Sequence, residues 1–133
     1  MDDWHSVLRS EFEADEGSLL IRIRGDLAWD TDALDRLLAA MEACCHATAK
    51  EKLVDRWIAE GFWYMSWFVK DWTSHPNFPR RRSDEYYNAV YEYLSSLAYW
   101  FFVNESPWTD NGIQARAELS RLQDISITTD WKD

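Results

Sequence analysis

The segment LVDRWIAEGFWYMSWFVKDW occupies residues 53–72 and carries more large apolar side chains than any other part of the chain. Four of the nine tryptophans lie in it. At 3.6 residues per turn its apolar side chains fall on one face, which is typical of a helix at the centre of a core. That face comprises Leu53, Val54, Ile58, Gly61, Phe62, Tyr64, Met65, Phe68, Val69 and Trp72. We therefore predict a central helix over about residues 49–73, opened by a capping box of Thr48 and Glu51.

Two tryptophans of this helix fall outside its apolar face. Trp63 and Trp67 lie one turn apart within the polar arc, beside Arg56 and Lys70. One interpretation is that another helix, such as the N-terminal one, covers both rings. The other is that they form an exposed partner-binding site, because tryptophan beside cationic side chains has the composition of a binding hot spot. In that case we expect Lys70 to lie over the Trp67 ring.

A second aromatic helix is predicted over about residues 84–103, because Ser83 followed by two acidic residues is a good start signal. Its apolar arc covers more than half of the helix circumference, so it should contact neighbours on more than one side, as in a bundle. We predict an all-α, single-domain bundle of four to six helices in which the central helix packs on this second one. The domain comprises residues 1–133, with residues 124–133 as a loosely ordered tail.

Shorter helices complete the predicted bundle. Apolar spacing and N-cap residues indicate them over about residues 2–13, 30–45 and 110–123. Residues 19–28 fit two structures, a strand that would pair with residues 125–129, or a helix capped by Ser18. We favour the helix, because that late segment is the only plausible partner for a strand.

The formal net charge is −10, and it is unevenly distributed. Residues 1–35 carry ten acidic and three basic side chains, and residues 84–133 carry nine and three. Residues 36–83, in contrast, carry five acidic and eight basic side chains. Phosphate backbones and anionic membranes repel an acidic surface, so we expect neither a nucleic acid nor a membrane as partner. A basic protein is favoured instead.

Only two cysteines occur, the adjacent Cys44 and Cys45, and their helical phase points both towards the core. They provide no disulfide framework and no zinc spacing, and with an acidic, polar N-terminus they favour the cytoplasm. The sequence has no phosphate-binding glycine loop, no metalloprotease or serine-hydrolase motif and no EF-hand loop. We therefore assign no catalytic residue, no metal site and no cofactor.

The segment HPNFPRRR, residues 75–82, is a second candidate site. Its two prolines break the central helix and stiffen the connection. Its candidate side chains are His75, Phe78, Arg80, Arg81 and Arg82. One interpretation is a rigid connection whose phenylalanine fills the bundle. The alternative is a basic loop at which an anionic small ligand or an acidic partner docks.

The function favoured by these features is that of a non-catalytic, acidic protein-binding module. Its acidic segments would attract a basic partner, and its aromatic side chains would anchor that partner. In size, charge and fold class the chain resembles small, acidic, helical proteins that neutralise basic toxins, such as bacterial immunity proteins, although no motif carries this likeness. A homodimer sealed through Trp63 and Trp67 is a further alternative.

The alternative from another class is a small-molecule-binding protein or an enzyme. Its aromatic pocket would lie between the helices at residues 53–72 and 84–103. Five rings are predicted to line it, namely Tyr64, Trp72, Tyr86, Tyr93 and Trp100. Asp71 and His75 are the acid–base groups expected near its mouth.

Overall fold

The computed structural model describes residues 3–127, and it contains no strand within that range. Six helices follow one another along the chain: α1 Trp4–Phe12, α2 Leu19–Asp26, α3 Thr31–Ala47, α4 Arg56–Thr73, α5 Asp84–Val103 and α6 Ile113–Ile127. Their buried faces share one hydrophobic core cluster. The predicted all-α bundle around two aromatic helices is confirmed.

Several helices begin at N-cap side chains that can be recognised in the sequence. The side chains of Ser18, Asp30 and Ser83 each accept a hydrogen bond from the backbone N–H three residues on. The helix preferred for residues 19–28 is therefore confirmed, although it ends at Asp26, and Leu27 follows as a left-handed C-cap. The alternative strand partner is ruled out as well, because residues 125–127 belong to α6.

The predicted start of the central helix at about residue 49 is wrong. The Thr48 hydroxyl donates a hydrogen bond of 2.8 Å to the Cys44 carbonyl, so it closes α3 instead of capping α4. Helix α4 begins only at Arg56. Two residues assigned to its apolar face precede it and are exposed, Leu53 at 87% and Val54 at 43%.

The C-terminal prediction also needs correction. Helix α6 continues to Ile127, so the predicted end of the last helix at about residue 123 is too early. Residues 128–133 of the predicted tail lie outside the described residues. The predicted Asp110 cap is present, since its carboxylate accepts hydrogen bonds from the N–H groups of Gly112 and Gln114.

Helices α4 and α5 run antiparallel and form the centre of the bundle. Phe62 of α4 stacks on Phe101 of α5 with ring centroids 4.3 Å apart. Near the other end of α4 the Thr73 hydroxyl lies 2.6 Å from the Tyr91 hydroxyl. The space between the two helices is thus filled by core side chains.

The N-terminal helix α1 packs on α3 and on the first half of α4. Its Phe12 ring occupies the space that Gly61 leaves free, because a Cβ there would lie 2.0 Å from Phe12 Cδ2. The Arg9 guanidinium lies 4.2 Å from the centroid of the Trp57 ring, and His5 contacts the same ring. Helix α1 therefore covers Trp57. None of the helices within residues 3–127 combines the length and apolar character needed to cross a bilayer.

Candidate functional site

Trp63 and Trp67 are exposed on α4. Their relative accessibilities are 56% and 39%, which are large values for tryptophan. The two ring centroids lie 5.5 Å apart, in an edge-to-face arrangement. The interpretation in which the N-terminal helix covers them is wrong for the described chain, since α1 covers Trp57.

These two rings belong to a longer series of ring contacts along α4. The Tyr64 ring lies 5.1 Å from Trp67 and stacks at 4.8 Å on buried Phe68, which lies 5.7 Å from Trp72. We call the five residues Trp63, Tyr64, Trp67, Phe68 and Trp72 the aromatic strip. Because Phe68 anchors the strip in the core, the exposed rings are held on a packed helix.

Four charged residues of α4 border the exposed tryptophans: Arg56, Glu60, Lys70 and Asp71. Within residues 3–127 none of the four takes part in an ion pair. The Lys70 Nζ lies 6.0 Å from the centroid of the Tyr91 ring, and the expected position over Trp67 is not the one adopted. The strip is therefore flanked by two cations and two carboxylates whose charges no neighbouring side chain neutralises.

A groove lies where the aromatic strip ends. Its volume is about 410 Å³, and it is lined by Leu27, Asp71, Trp72, His75, Asn77 and Phe78. We call it the Trp72 groove. Phe78 is buried at its base, whereas Asp71 and His75 are exposed at its rim. The His75 Nδ1 accepts a hydrogen bond of 3.1 Å from the Asn77 N–H, so the proton of the neutral ring resides on Nε2.

The arginines of the 75–82 segment serve mainly as internal clamps. Arg80 donates hydrogen bonds to the Thr73 carbonyl at 2.9 Å and to the Tyr91 hydroxyl at 2.6 Å. Its guanidinium also pairs with Asp84 at 2.6 Å and lies 4.4 Å from the centroid of the Tyr87 ring. Such a forked donor fixes the α4–α5 connection, as the rigid-connection interpretation requires.

The other two arginines of the segment differ from each other. Arg82 donates to the Gln123 carbonyl at 3.3 Å and lies 5.9 Å from the centroid of the Tyr86 ring. Arg81 uses its backbone N–H to reach the Tyr87 hydroxyl, and its side chain is exposed. A basic docking loop built from three arginines is therefore not formed.

The aromatic pocket predicted between α4 and α5 is not lined by its five rings together. These rings belong to three separate clusters. Tyr64 and Trp72 belong to the aromatic strip. Tyr86 is buried and accepts a hydrogen bond of 2.9 Å from Trp29 Nε1, and burial raises the pKa of its hydroxyl. Tyr93 and Trp100 both contact Trp108 instead. Of the predicted lining, only Trp72, with Asp71 and His75 beside it, borders the Trp72 groove.

Sequence reasoning missed two half-buried polar networks. The Tyr93 hydroxyl donates to the Glu42 carboxylate, which lies 3.6 Å from Arg116, so α3, α5 and α6 are joined. Burial, followed by the Glu42 carboxylate, raises the pKa of Tyr93. Buried Glu11 accepts a hydrogen bond of 2.9 Å from the Leu19 N–H, and desolvation raises its pKa. Their spacing in sequence, 51 and 8 residues, gives no local signal of either contact.

The thiols and possible metal ligands suggest no further site. Cys44 and Cys45 are buried, and burial raises the pKa of Cys44 to about 12. A reactive cysteine has instead a lowered pKa and access to solvent. In the part of the chain that the structure describes, no three His, Cys, Asp or Glu side chains cluster as metal ligands would.

Fold and surface together define an all-helical bundle with an exposed aromatic strip and an adjoining groove. No family model matches this chain, and neither curated proteins nor solved structures show significant similarity to it. Any functional conclusion therefore rests on the geometry of these residues.

Proposed function

We propose that this protein is a non-catalytic, acidic protein-binding module that contacts its partner through Trp63 and Trp67. The observation that carries the proposal is their exposure, at 56% and 39%, on neighbouring turns of one helix. Tryptophan is among the residues most enriched in binding hot spots, and burying two such rings against a partner is strongly favourable. Arg56 and Lys70, which form no ion pair within residues 3–127, add charge at the edge of the same surface.

The packing of the aromatic strip on the core lowers the entropic cost of binding. Trp67 packs on Tyr64 and Tyr64 on buried Phe68, so the exposed rings have few alternative positions. Association loses less side-chain entropy when the anchoring groups are already held in place. This rigid presentation is what a dedicated binding surface requires.

The net charge of −10 supports a basic partner. An acidic surface raises the association rate of a cationic protein, and like charges discourage acidic ones. These properties fit a protein of the immunity or antitoxin type that neutralises a basic partner. Two free, buried cysteines fit a reducing compartment, and we propose the cytoplasm.

Capture of partners by the immobilised full chain tests this proposal. We expect basic proteins to be retained at low ionic strength, and the Trp63→Ala, Trp67→Ala double variant to lose them. Phe102→Ala is the matched control, because it removes another exposed aromatic ring from the surface of α5. Recovery of acidic proteins alone, or of nothing at any ionic strength, would refute the proposal, as would equal losses in the double variant and the control.

The Trp72 groove supports a second candidate, a small-molecule-binding protein or an enzyme that uses Asp71 and His75 as acid–base groups. Its volume of about 410 Å³ falls in the range of ligand pockets. Thermal unfolding of the wild type in the presence of small aromatic and cationic compounds tests it. A compound that raises the unfolding temperature of the wild type but not of Trp72→Leu supports this function, and the absence of any such compound counts against it.

A further inference from the structure

We propose that the Trp72 groove receives an arginine side chain of a basic protein partner. This inference rests on the proposed function, because the arginine belongs to the partner that lies on the aromatic strip. It adds a second, charge-selective contact to the two exposed tryptophans.

The walls of the groove suit the flat, partly apolar side chain of arginine. Leu27, Trp72 and Phe78 supply the apolar lining. The methylene stem of an arginine can pack on such side chains while its guanidinium stacks on the Trp72 ring. Lysine fits less well, because its ammonium group is compact and strongly hydrated and cannot stack.

The charge of the groove selects a cation. Asp71 is the only carboxylate among its lining residues, and within residues 3–127 this carboxylate forms no ion pair. The neighbouring cation in sequence, Lys70, lies over Tyr91 of α5 instead. A guanidinium can meet a carboxylate with two parallel hydrogen bonds, which is the geometry that a free Asp71 offers.

His75 offers a hydrogen-bond donor at the groove. Its Nδ1 accepts the Asn77 N–H, so the donor nitrogen of the ring is Nε2. The remaining Nε2–H forms no hydrogen bond within the part of the chain that the structure describes. It can therefore donate to a backbone carbonyl of the partner beside the inserted arginine.

The lining of the groove includes an exposed apolar side chain. Leu27, the left-handed C-cap of α2 with φ = 51°, is 42% exposed. An arginine stem lying between Leu27 and Trp72 would cover it.

The groove adjoins the proposed partner surface through Asp71, which lines the groove and follows Trp67 by four positions on α4. Four positions correspond to about one helical turn and a rise of about 6 Å, whereas Trp72 lies about 140° around the helix from Trp67. One segment of a partner can therefore contact Trp67, pass Asp71 and place a side chain in the groove.

Titration of the full chain with three small probes tests the proposal. We choose N-acetyl-arginine amide, the lysine analogue, and the neutral citrulline analogue, and follow the tryptophan indole N–H signals by NMR. The Trp72 signal should shift saturably with the arginine probe, at least about tenfold more weakly with lysine, and not with citrulline. The signal of buried Trp100 should stay in place.

Two variants with the same change of charge separate local from general attraction. Asp71→Asn should weaken binding of the arginine probe at least about tenfold, because it removes the charge-assisted pair. Glu92→Gln removes an exposed carboxylate of α5 that forms no ion pair within residues 3–127 and belongs to neither the groove nor the aromatic strip, and it should leave binding unchanged. Unfolding curves of both variants confirm that the fold is retained.

Three results would overturn the inference. The first is no saturable shift at Trp72, and the second is equal affinity for the arginine and lysine probes. The third is equal weakening by Asp71→Asn and Glu92→Gln, which would indicate general electrostatic attraction only. A negative result for the groove does not test the role of the exposed tryptophans. That role is tested by partner capture with the Trp63→Ala, Trp67→Ala variant. Conversely, the arginine probe could bind as expected while the Trp63→Ala, Trp67→Ala variant still captures the partner. That pair of results would support the groove and reject the tryptophan surface.

Discussion

Replacing Gly61 by alanine tests the close packing of α1 on α4. An alanine Cβ at this position would lie 2.0 Å from Phe12 Cδ2 and 2.4 Å from Phe12 Cγ. Carbon atoms in contact are normally about 3.5–4.0 Å apart, so the ring has to move by more than 1 Å or α1 has to shift. Rotation of the ring about χ2 leaves the Cγ atom in place, so relief of this contact requires a new χ1 rotamer or a shift of α1.

The expected change in the free energy of unfolding is the sum of two unfavourable terms and one favourable term. Overpacking a close contact costs about 1–3 kcal/mol, and expelling the Phe12 ring from Trp57 and Phe62 costs part of the roughly 3–5 kcal/mol of a buried phenylalanine. Alanine returns about 1 kcal/mol through its higher helix propensity. We expect Gly61→Ala to lower the free energy of unfolding by about 2 kcal/mol.

Urea unfolding followed by circular dichroism measures this change, provided that the m-value stays constant. Gly25→Ala is the matched control, since the nearest atom to its Cβ is Ile21 Cγ1 at 3.9 Å. That substitution should stabilise the protein by about 0.5–1 kcal/mol. In addition, Phe12→Ala should cost less in the Gly61→Ala background than in the wild type. A Gly61→Ala protein at least as stable as the wild type would show that α1 does not pack here.

Further perturbations address the polar core. Glu11→Ala should lower the free energy of unfolding by about 1–3 kcal/mol, because it leaves the Leu19 N–H without its acceptor. Glu11→Gln should be neutral or stabilising at pH 7. Burial raises the pKa of Glu11 in the folded state. The wild type should therefore gain stability relative to Glu11→Gln as pH falls through that raised pKa. Urea titrations at several pH values measure this gain. Arg80→Lys should cost about 1–3 kcal/mol in urea unfolding, as a lysine cannot replace its forked contacts. Cys44 should react with a thiol reagent at pH 8 only after unfolding, given its pKa of about 12, and rapid reaction of the native protein would contradict its burial.

The helices could be predicted where their signals are local. Ser18, Asp30 and Ser83 cap the residues that directly follow them, so the sequence contains both partners of each hydrogen bond. Thr48 was misleading, because a threonine hydroxyl can bond either forwards to cap a new helix or backwards to the preceding turn. The backward bond to Cys44 is the one formed, and sequence pattern does not distinguish the two.

The candidate site could be predicted only in part. Helical phase placed Trp63 and Trp67 on the polar side of α4, but phase does not state whether another helix lies over that side. Helix α1 lies over Trp57, a choice that depends on the missing side chain of Gly61. Similarly, Tyr93 and Trp72 are both aromatic positions of the two central helices, yet Trp72 contacts Phe68 of its own helix and Tyr93 contacts Trp108 in the α5–α6 connection. Neighbours of this kind are set by the tertiary packing.

The structure shows what several basic side chains of residues 36–83 contact. Arg36 donates to the Gly17 carbonyl, Arg80 clamps Thr73 and Tyr91, and Arg82 holds the Gln123 carbonyl. These three cations serve the fold. Within residues 3–127 Arg56 and Lys70, beside the aromatic strip, form no ion pair, and the carboxylates of Glu60 and Asp71 on the same helix equal them in number. On the proposal above, the net charge of −10 would attract a basic partner, and Asp71, which forms no ion pair within residues 3–127, would bind that partner's arginine.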